Sequence, residues 1–322
     1  MYGYRLTAAF GLVVMAATTA QAQQSYPTRP IRLIIPMGAG GATDIICRTL
    51  TPKMGELFGQ QIVVDNRPGA NGVIGDELTI KSAPDGYTIE ANALSIAINP
   101  SLYKLPYDFL RDLAPVTQLA TIDLVLGVYP GTPAKTVSEL VALARSQPGK
   151  LNYASFGVGS IAHIAGEMFK QASNTQIVHI AYKSSPLAVQ ETIAGQTQFL
   201  FGGTSYMLPQ VRAGRLRGIA VASAQRSALA PDIPTIAESG LPGFEATAWF
   251  GMWAPAKTPR EIVGRINATV VEVLHDPDVR AKLETQGYRP VGDTPEQFAK
   301  FLRSEVDKYA RVIKAGGIKP DS

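Results

Sequence analysis

The chain is poor in cysteine and histidine, and this limits the chemistry open to it. Cys47 is the only cysteine among 322 residues, so no disulfide can form within the chain. The histidines, His163, His179 and His275, are widely separated and lack the spacing of a zinc site. Cys47 lies among apolar residues of a predicted helix, so we expect a buried thiol rather than a reactive one. No metal and no cofactor is expected.

Long hydrophobic runs are also scarce. Residues 6–19 are mostly apolar but too few to span a bilayer, and no later run reaches about 18 apolar residues. Arg5 precedes this stretch and Ala20–Ala22 follows it, which is the order of a secretory signal peptide cut before Gln23. An ordinary N-terminal helix is the alternative. We expect a signal peptide over residues 1–22 and a soluble, periplasmic mature protein.

Charge is thinly spread along the chain. Charged residues make up 17% of it, and the formal net charge is +4. The lysines and arginines do not cluster, which argues against binding to nucleic acid. The slight positive excess favours anionic partners. About 300 mature residues are enough for two lobes, each with its own hydrophobic core.

Strand and helix patterns alternate through most of the mature chain. The hydrophobic patterns predict an α/β fold with largely parallel sheets. The predicted strands cover residues 62–64, 87–89, 124–128, 151–154, 177–180, 199–201 and 219–222. The predicted helices cover residues 73–81, 160–172 and 186–194, and a further helix begins at a capping box of Thr136 and Glu139.

The C-terminal part follows a different pattern. An aromatic strand, Trp249–Trp253, precedes three predicted helices. Each helix is announced by a capping residue and a proline, at Thr258-Pro259, Asp276-Pro277 and Thr294-Pro295. Glu261 and Gln297 would complete capping boxes for the first and third helix.

No flexible linker divides the chain, so we expect strands to join the two lobes. The crossings are predicted near residues 124–129 and 246–251. The first lobe then comprises residues 26–125 and 248–322, and the second comprises residues 126–247.

A glycine-rich turn follows the first predicted strand. Ile31–Ile35 is apolar, Gly38–Gly41 follows, and a helical pattern begins near Thr43. Glycines let backbone N–H groups approach a ligand, and the helix dipole favours negative charge at that end. The dinucleotide-binding fingerprint does not fit, because Thr43 occupies its third glycine position. The alternatives are a backbone anion site and a turn that only connects the strand to the helix.

A second turn of this kind favours the anion site. Gly157–Ser160 follows the strand at residues 151–154, and Ser160 is a suitable N-cap for the next helix. His163 lies within the first turn of that helix. Two helix N-termini that face each other across a cleft would hold both ends of a small dianion.

Several ordered segments resemble one family, and the resemblance covers essentially the whole mature chain. It resembles the Bug family, the extracytoplasmic, TctC-like solute-binding proteins of the tripartite tricarboxylate transporter type. The matching segments are residues 26–31, 40–44, 66–72, 84–88, 157–163, 181–183, 213–217, 231–235 and 249–259.

The resemblance implies a periplasmic-binding-protein fold, in which two lobes close on a small carboxylate. It implies a membrane transporter or a sensor as partner, and we expect a monomer. The residues it places at the ligand are Ala39, Gly40, Gly41, Thr43, Asp44, Ser95, Gly157, Gly159, Ser160, Ile161, His163 and Gly202.

Two positions depart from the family pattern. Ser184 follows Lys183 where the family usually has glycine, and Gly202-Gly203 stands where it usually has an acidic residue. A buried ligand ammonium would need a carboxylate partner, and Gln198 offers only a neutral amide. We therefore expect a carboxylate ligand without a required ammonium group.

Several candidate residues have a structural alternative. His163 either contacts the ligand or only caps and packs its own helix. Asp44 is expected to stabilise the first helical turn rather than face an anion. His179 is expected to be structural and His275 solvated. Trp249 and Phe250 form either ordinary core or a wall of the cleft.

The alternative function is a secreted α/β enzyme acting on a small carboxylic acid. Ser160 with His163 is the only candidate for a nucleophile and base, and no acid is placed to orient the imidazole. Ile161 and Ala162 follow Ser160, so the Gly-x-Ser-x-Gly elbow of serine hydrolases is absent. A binding protein is therefore favoured over an enzyme.

Overall fold

The computed structural model describes residues 26–319, so the predicted signal peptide lies outside the described residues. This part of the chain holds ten strands and eleven helices. The strands are β1 Ile31–Ile35, β2 Ile62–Asn66, β3 Thr88–Ala93, β4 Leu113–Val128, β5 Asn152–Ser155, β6 Val178–Ala181, β7 Phe199–Gly203, β8 Arg217–Val221, β9 Thr247–Pro255 and β10 Tyr288–Pro290.

The helices connect these strands and cover the sheet. They are α1 Ala42–Phe58, α2 Val73–Ile80, α3 Ser95–Leu102, α4 Phe109–Asp112, α5 Val137–Ser146, α6 Ile161–Ser173, α7 Ser185–Ile193, α8 Thr204–Arg212, α9 Arg260–His275, α10 Pro277–Thr285 and α11 Pro295–Gly316. A 3₁₀ turn at Ala70–Gly72 precedes α2. The predicted alternation of strands and helices is confirmed.

The strands form one mixed sheet in the order β2-β1-β3-β9-β4-β7-β5-β6, with β8 and β10 also paired to β4. β1 is parallel to β2 and β3, and β5 is parallel to β6 and β7. Every pairing of β4 and β9 is antiparallel. The expectation of largely parallel sheets was therefore wrong for the centre, because β4 and β9 carry the chain in opposite directions.

β4 is long because it belongs to two sets of strands. Its residues 113–123 pair with β9, and its residues 124–128 pair with β7 and with β8. We call β2, β1, β3, β9, β10 and residues 113–123 the first half-sheet. The second half-sheet comprises β7, β5, β6, β8 and residues 124–128.

The predicted helix caps are present except at α9. Thr294 and Gln297 form the capping box of α11, and Asp276 caps α10. Thr258 does not cap α9, which begins after Pro259 without a side-chain cap. The Thr258 N–H instead closes a turn onto the Pro255 carbonyl, so Thr258 lies one position too early.

The capping box expected at α5 forms only in part. The Thr136 hydroxyl accepts from the Glu139 N–H, as predicted. The Glu139 carboxylate accepts from the Lys135 N–H at 2.6 Å, not from the N–H of Thr136.

The aromatic strand and the cysteine both belong to the hydrophobic core. Trp249 and Phe250 are 1% and 4% exposed, so both side chains belong to the core. The Trp249 indole donates to Glu305 of α11 at 2.7 Å. Cys47 is completely buried, and burial raises the pKa of its thiol, which confirms the expected unreactive cysteine.

Residues 26–319 were compared with the requirements of a membrane-spanning helix and of a metal site, and they meet neither. No helix there combines the length and apolarity that a membrane crossing requires. No three His, Cys, Asp or Glu side chains in that range come together as a group that could hold a metal ion.

Candidate functional site

The strand directions bring the ends of the two parallel sets towards each other. β3 and β4 are both antiparallel to β9, so β1, β2 and β3 run in the same direction as β4. β7 is antiparallel to β4, so β5, β6 and β7 run the opposite way. The carboxyl ends of both sets therefore face the junction of the half-sheets, where α/β proteins commonly bind ligands.

The register places these ends close to the junction. Ala93 at the end of β3 pairs with Phe250, which pairs with Ala120 of β4. Gly203 at the end of β7 pairs with Leu124 of β4. Ala120 and Leu124 are four positions apart, which is about 13 Å along the strand.

Both glycine turns lie at these strand ends. The first turn, residues 36–41, follows β1, the central strand of the set β2-β1-β3. The second turn, residues 156–160, follows β5, the central strand of the set β7-β5-β6. The structure thus brings the two predicted turns to the same junction, one from each half-sheet.

Asp44 holds the first turn in place. Its Oδ2 accepts from the Gly40 N–H at 2.9 Å and from Arg48 Nε at 2.9 Å. Gly40 has a φ of +77°, a conformation that favours glycine. Burial alone would raise the pKa of Asp44, but hydrogen bonds from Arg48 and Gly40 outweigh it and lower the pKa. Asp44 is 3% exposed, so it supports the turn from within the fold, and its expected effect on the helix dipole stays a prediction.

The helix that follows the first turn begins without a side-chain cap. Gly41 occupies the N-cap position, and its carbonyl accepts from the Ile45 N–H. The N–H groups of Ala42, Thr43 and Asp44 have no acceptor within residues 26–319. An uncapped helix N-terminus with free donors is a favourable place for an anion.

Ser160 caps the helix that follows the second turn. Its hydroxyl accepts from the His163 N–H at 3.4 Å and donates to the Gly157 carbonyl at 2.7 Å. Gly157 and Gly159 have φ values of +118° and +75°. Ser155, completely buried, also bonds to both the carbonyl and the N–H of Gly157. The predicted N-cap is confirmed.

His163 supports the second turn with its ring. Its Nδ1 accepts from the Gly159 N–H at 3.2 Å, and its ring stacks on His179 with centroids 3.7 Å apart. Burial, with a smaller contribution from Lys170, lowers the pKa of His163 to about 4. His163 is therefore neutral at pH 7 and is only 5% exposed. These contacts match the capping and packing alternative, and a ligand contact stays a prediction.

His179 has the structural role expected of it. Its Nε2 lies 2.6 Å from the Ser155 hydroxyl, and its ring also packs on Tyr153. No sequence pattern predicts the pairing of His163 with His179, because the two residues lie on different elements. His275 is exposed, as predicted.

Helix α3 follows β3 and reaches the second turn. Ser95 lies at its first position, just beyond the end of β3, and its hydroxyl lies 3.4 Å from Asn92 Oδ1. Near its other end, Leu102 lies against Gly159 of the second turn, where a Cβ would come within 2.6 Å of the Leu102 side chain. Asn92 was not among the predicted site residues, although a polar residue in a strand as buried as β3 is itself a signal.

Gly202 and Gly203 are packed against α8. A Cβ on Gly202 would come within 2.7–2.8 Å of Met207 and Tyr206, and one on Gly203 would meet Ile122 at 2.9 Å. Gln198 is turned away, since its Oε1 accepts from the Asn152 N–H. This end of β7 therefore presents no carboxylate, and Tyr206 occupies the neighbouring space.

The described residues offer no accessible nucleophile with its base at the turns. Ser160 bonds to backbone groups, and His163 Nδ1 is occupied by Gly159. The Ser155 hydroxyl does contact an imidazole, that of His179, but Ser155 is completely buried and out of reach of a substrate. The arrangement is suited to holding an anion with N–H groups.

The chain is similar to known proteins in both sequence and structure. Residues 46–318 match the family described as "Tripartite tricarboxylate transporter family receptor". Protein BugT of Bordetella pertussis is 35% identical over 320 residues, which cover 98% of each chain.

Two solved structures share the fold. An R. palustris protein solved with adipate has 32% identity and a TM-score of 0.82, covering 92% of this chain and all of the other. MatC of Rhodopseudomonas palustris, solved with bound malate, has 28% identity and a TM-score of 0.76, covering 89% of this chain and all of the other.

Proposed function

The chain belongs to the tripartite tricarboxylate transporter receptor family, and from this we propose that it captures a small carboxylate between its two half-sheets. The observation that carries the proposal is the pair of glycine turns at strand ends that face one junction. The solved relatives support the ligand class, since one was solved with adipate and the other with malate.

The ligand carboxylate binds at the first turn in this proposal. The free N–H groups at the start of α1 and the exposed turn above them supply the donors, and water completes the shell. The residues involved are Ala39, Gly40, Gly41 and Thr43, with Asp44 beneath them.

The other end of the ligand meets the second half-sheet. Gly157, Gly159, Ser160 and Ile161 line that side, His163 supports them, and the N–H groups of Ile161 and Ala162 have no acceptor within the described part of the chain. Ser95 and Gly202 border the site from α3 and β7. No arginine lies in either turn, so backbone donors carry the charge.

We propose that the half-sheets form the cores of two lobes. The first would comprise residues 26–125 and 248–322, and the second residues 126–247. The change of partners in β4 at residues 123–124 and the hydrogen bond from the Ala246 N–H to Ala222 support boundaries within about two residues of these. Ligand binding would close the cleft between the lobes.

The protein would act in the periplasm as a monomer, after removal of residues 1–22. It would deliver its ligand to membrane subunits of a transporter or to a sensor. Family membership supports the transporter. We propose binding without catalysis, because the turns offer donors for an anion and no accessible nucleophile paired with a base among the described residues.

A thermal-shift panel tests the proposal. The mature protein is mixed with mono-, di- and tricarboxylates, amino acids, nicotinate-type acids and aromatic carboxylates. A true ligand raises the melting temperature by mass action. A small carboxylate that raises it dose-dependently and is not consumed supports the proposal. A panel without any shift, or turnover of the acid, contradicts it.

A paired titration with glutarate and glutamate sharpens the ligand class. The two molecules differ by one ammonium group, for which the Gly202-Gly203 strand end offers no carboxylate. We expect glutarate to bind at least as tightly as glutamate. Tighter binding of glutamate by tenfold or more, about 1.4 kcal/mol, would refute this assignment.

A further inference from the structure

Two buried carboxyl groups lie behind the first turn. Asp76 of α2 and Glu90 of β3 are both completely buried, and one atom, the Asn92 amide nitrogen, lies 2.8 Å from Asp76 Oδ1 and 3.2 Å from Glu90 Oε1. Glu90 is enclosed by the sheet, since it pairs with Ile34 of β1 and Trp253 of β9. Two adjacent buried carboxylates repel each other, so such a pair is stable only when it keeps a proton.

The hydrogen bonds indicate which group carries this proton. Asp76 accepts from two donors, Asn92 Nδ2 at 2.8 Å and the Tyr107 hydroxyl at 2.6 Å. Glu90 accepts one longer bond, from Asn92 Nδ2 to its Oε1 at 3.2 Å. Its Oε2 is buried, and no donor reaches it within residues 26–319. Asp76 is thus bonded as an anion and Glu90 as a neutral acid.

Within the described part of the chain, no cation compensates the pair. Glu77, the other charged residue of α2, forms an ion pair with Lys81. Arg32 of β1 forms an ion pair with Asp65. β9 carries no titratable side chain, and the loop before α4 contributes the Tyr107 phenol. Burial raises the pKa of Glu90 well above its ordinary value, and the neighbouring charge of Asp76 adds to this.

Asn92 connects the pair to the candidate site. Its amide nitrogen bridges Asp76 and Glu90, and its Oδ1 accepts from the Ala93 N–H at 2.7 Å. The same oxygen lies 3.4 Å from the Ser95 hydroxyl at the start of α3. The amide also lies beside Gly72, where a Cβ would be 3.5 Å from Asn92 Nδ2.

We propose that Asp76 and Glu90 act as one buried acid that keeps a single proton and thereby positions Asn92 and Ser95 at the edge of the ligand site. The link to a ligand rests on the proposed function, whereas the shared proton does not. Glu90 is a positioning residue here, since it acts through Asn92 and contacts no ligand.

The shared proton has a consequence for stability. The folded state holds a proton on Glu90 that the unfolded chain releases near the ordinary pKa of glutamate. The free energy of unfolding therefore decreases as pH rises above that ordinary value, and it levels off only beyond the raised pKa. A glutamine at position 90 keeps the neutral shape and removes this dependence.

The experiment compares wild type with Glu90→Gln, Glu90→Ala and the control Glu77→Gln, all as the full mature chain. Melting temperatures are measured without ligand from pH 6.5 to 9.5. Wild type and Glu77→Gln should lose at least about 3 °C more than Glu90→Gln across this range. Equal pH dependence in wild type and Glu90→Gln would overturn the shared proton.

The positioning of Asn92 and Ser95 is tested separately, by hydrogen exchange and by titration with adipate at pH 7. Glu90→Ala should exchange faster over residues 93–98 and bind adipate at least tenfold more weakly. Glu90→Gln should restore both to within about twofold of wild type. Failure of this rescue, or an alanine variant identical to wild type, would overturn the positioning role.

The two proposals fail in different ways. If wild type does not bind adipate, the proposed ligand is in question. The pH dependence and the exchange rates still test the shared proton and the positioning role of Glu90. If the variants do not fold, carboxyl ¹³C NMR of wild type decides on the proton. One carboxyl group that stays protonated at pH 7 supports the proposal, and full ionisation of all carboxyl groups overturns it.

Discussion

The two glycine turns occupy equivalent places but are held by different chemistry. Each follows the central strand of a parallel set and leads into a helix. The first turn depends on a buried carboxylate, Asp44, which is bonded to Gly40 and to Arg48. The second turn depends on neutral groups, the Ser160 hydroxyl and the imidazole of His163.

From this difference we infer different roles for the two helix N-termini in the proposed site. The start of α1 has no side-chain cap and leaves three N–H groups for a ligand, whereas Ser160 already satisfies one donor of α6. We therefore expect the negative charge of the ligand to concentrate at the first turn. In the proposed site, the second turn would supply fewer donors than the first.

The two turns should also differ in their sensitivity to acid, and His163 gives the largest expected effect. Its pKa in the fold, about 4, lies below the ordinary value of 6.5, so the folded state resists protonation. Stability should fall from pH 6.5 down to pH 4, because the unfolded chain takes up a proton over this range. The shift corresponds to a loss on the order of 3 kcal/mol.

The variant His163→Asn tests this effect in urea unfolding at pH 7.5, 5.5 and 4.5. Asparagine offers an acceptor for the Gly159 N–H but does not titrate. The difference in stability between wild type and the variant should shrink or reverse as pH falls. His275→Asn, at an exposed site, serves as the control and should follow wild type. Parallel curves for His163→Asn and wild type would contradict the prediction.

Asp44 gives the next largest effect, and its contribution is lost at a lower pH than that of His163. Asp44→Ala removes a charge-assisted bond to Gly40, and we expect a loss of about 2 kcal/mol in the free energy of unfolding. Arg48 is half exposed, so its ion pair adds little. Because the pKa of Asp44 is lowered, its contribution is full above the ordinary value near 4 and is lost only below it.

Urea unfolding at pH 7 and pH 5 measures this loss, which should be the same at both values. Arg29→Ala is the control, since the Arg29–Asp85 pair is largely exposed and should contribute almost nothing. A stability loss below about 0.5 kcal/mol in Asp44→Ala would show that the first turn does not depend on its carboxylate.

Local signals in the sequence predicted much of this arrangement. Glycines between an apolar strand and a helical pattern indicated both turns, and Ser160 indicated the cap of α6. These signals act over a few residues, where backbone conformation and capping decide the structure. For the same reason, the pattern of β3 indicated only a plain apolar strand, and it did not reveal the pairing of Glu90 with Asp76.

The remaining features depend on contacts between distant segments. The antiparallel centre arises from pairing between β4 and β9, about 130 residues apart. The stack of His163 on His179 joins α6 to β6, and no spacing rule predicts it. Gly166 is a further example. A Cβ at this position would lie 2.1 Å from Tyr153, so the need for glycine depends on a contact that the neighbouring sequence does not reveal.

The smallest expected effect concerns where the ligand charge lies. Gly38 is exposed and has no positive φ, and a Cβ added to it would meet nothing within 4 Å, so a side chain fits there without strain. Gly38→Asp would place a carboxylate beside the free N–H groups of α1. It would repel a ligand carboxylate and compete for the same donors. Gly38→Asn has the same shape without the charge.

Calorimetry with adipate at pH 7.5 compares the two variants with wild type. Gly38→Asp should bind at least tenfold more weakly, about 1.4 kcal/mol, and Gly38→Asn within about threefold of wild type. The difference should shrink in high salt, because the interaction lies at the surface. Equal melting temperatures in both variants would exclude misfolding. Equal affinity of the two variants would indicate that the ligand charge lies near the start of α6 and not at the first turn. The roles inferred for the two turns would then be reversed.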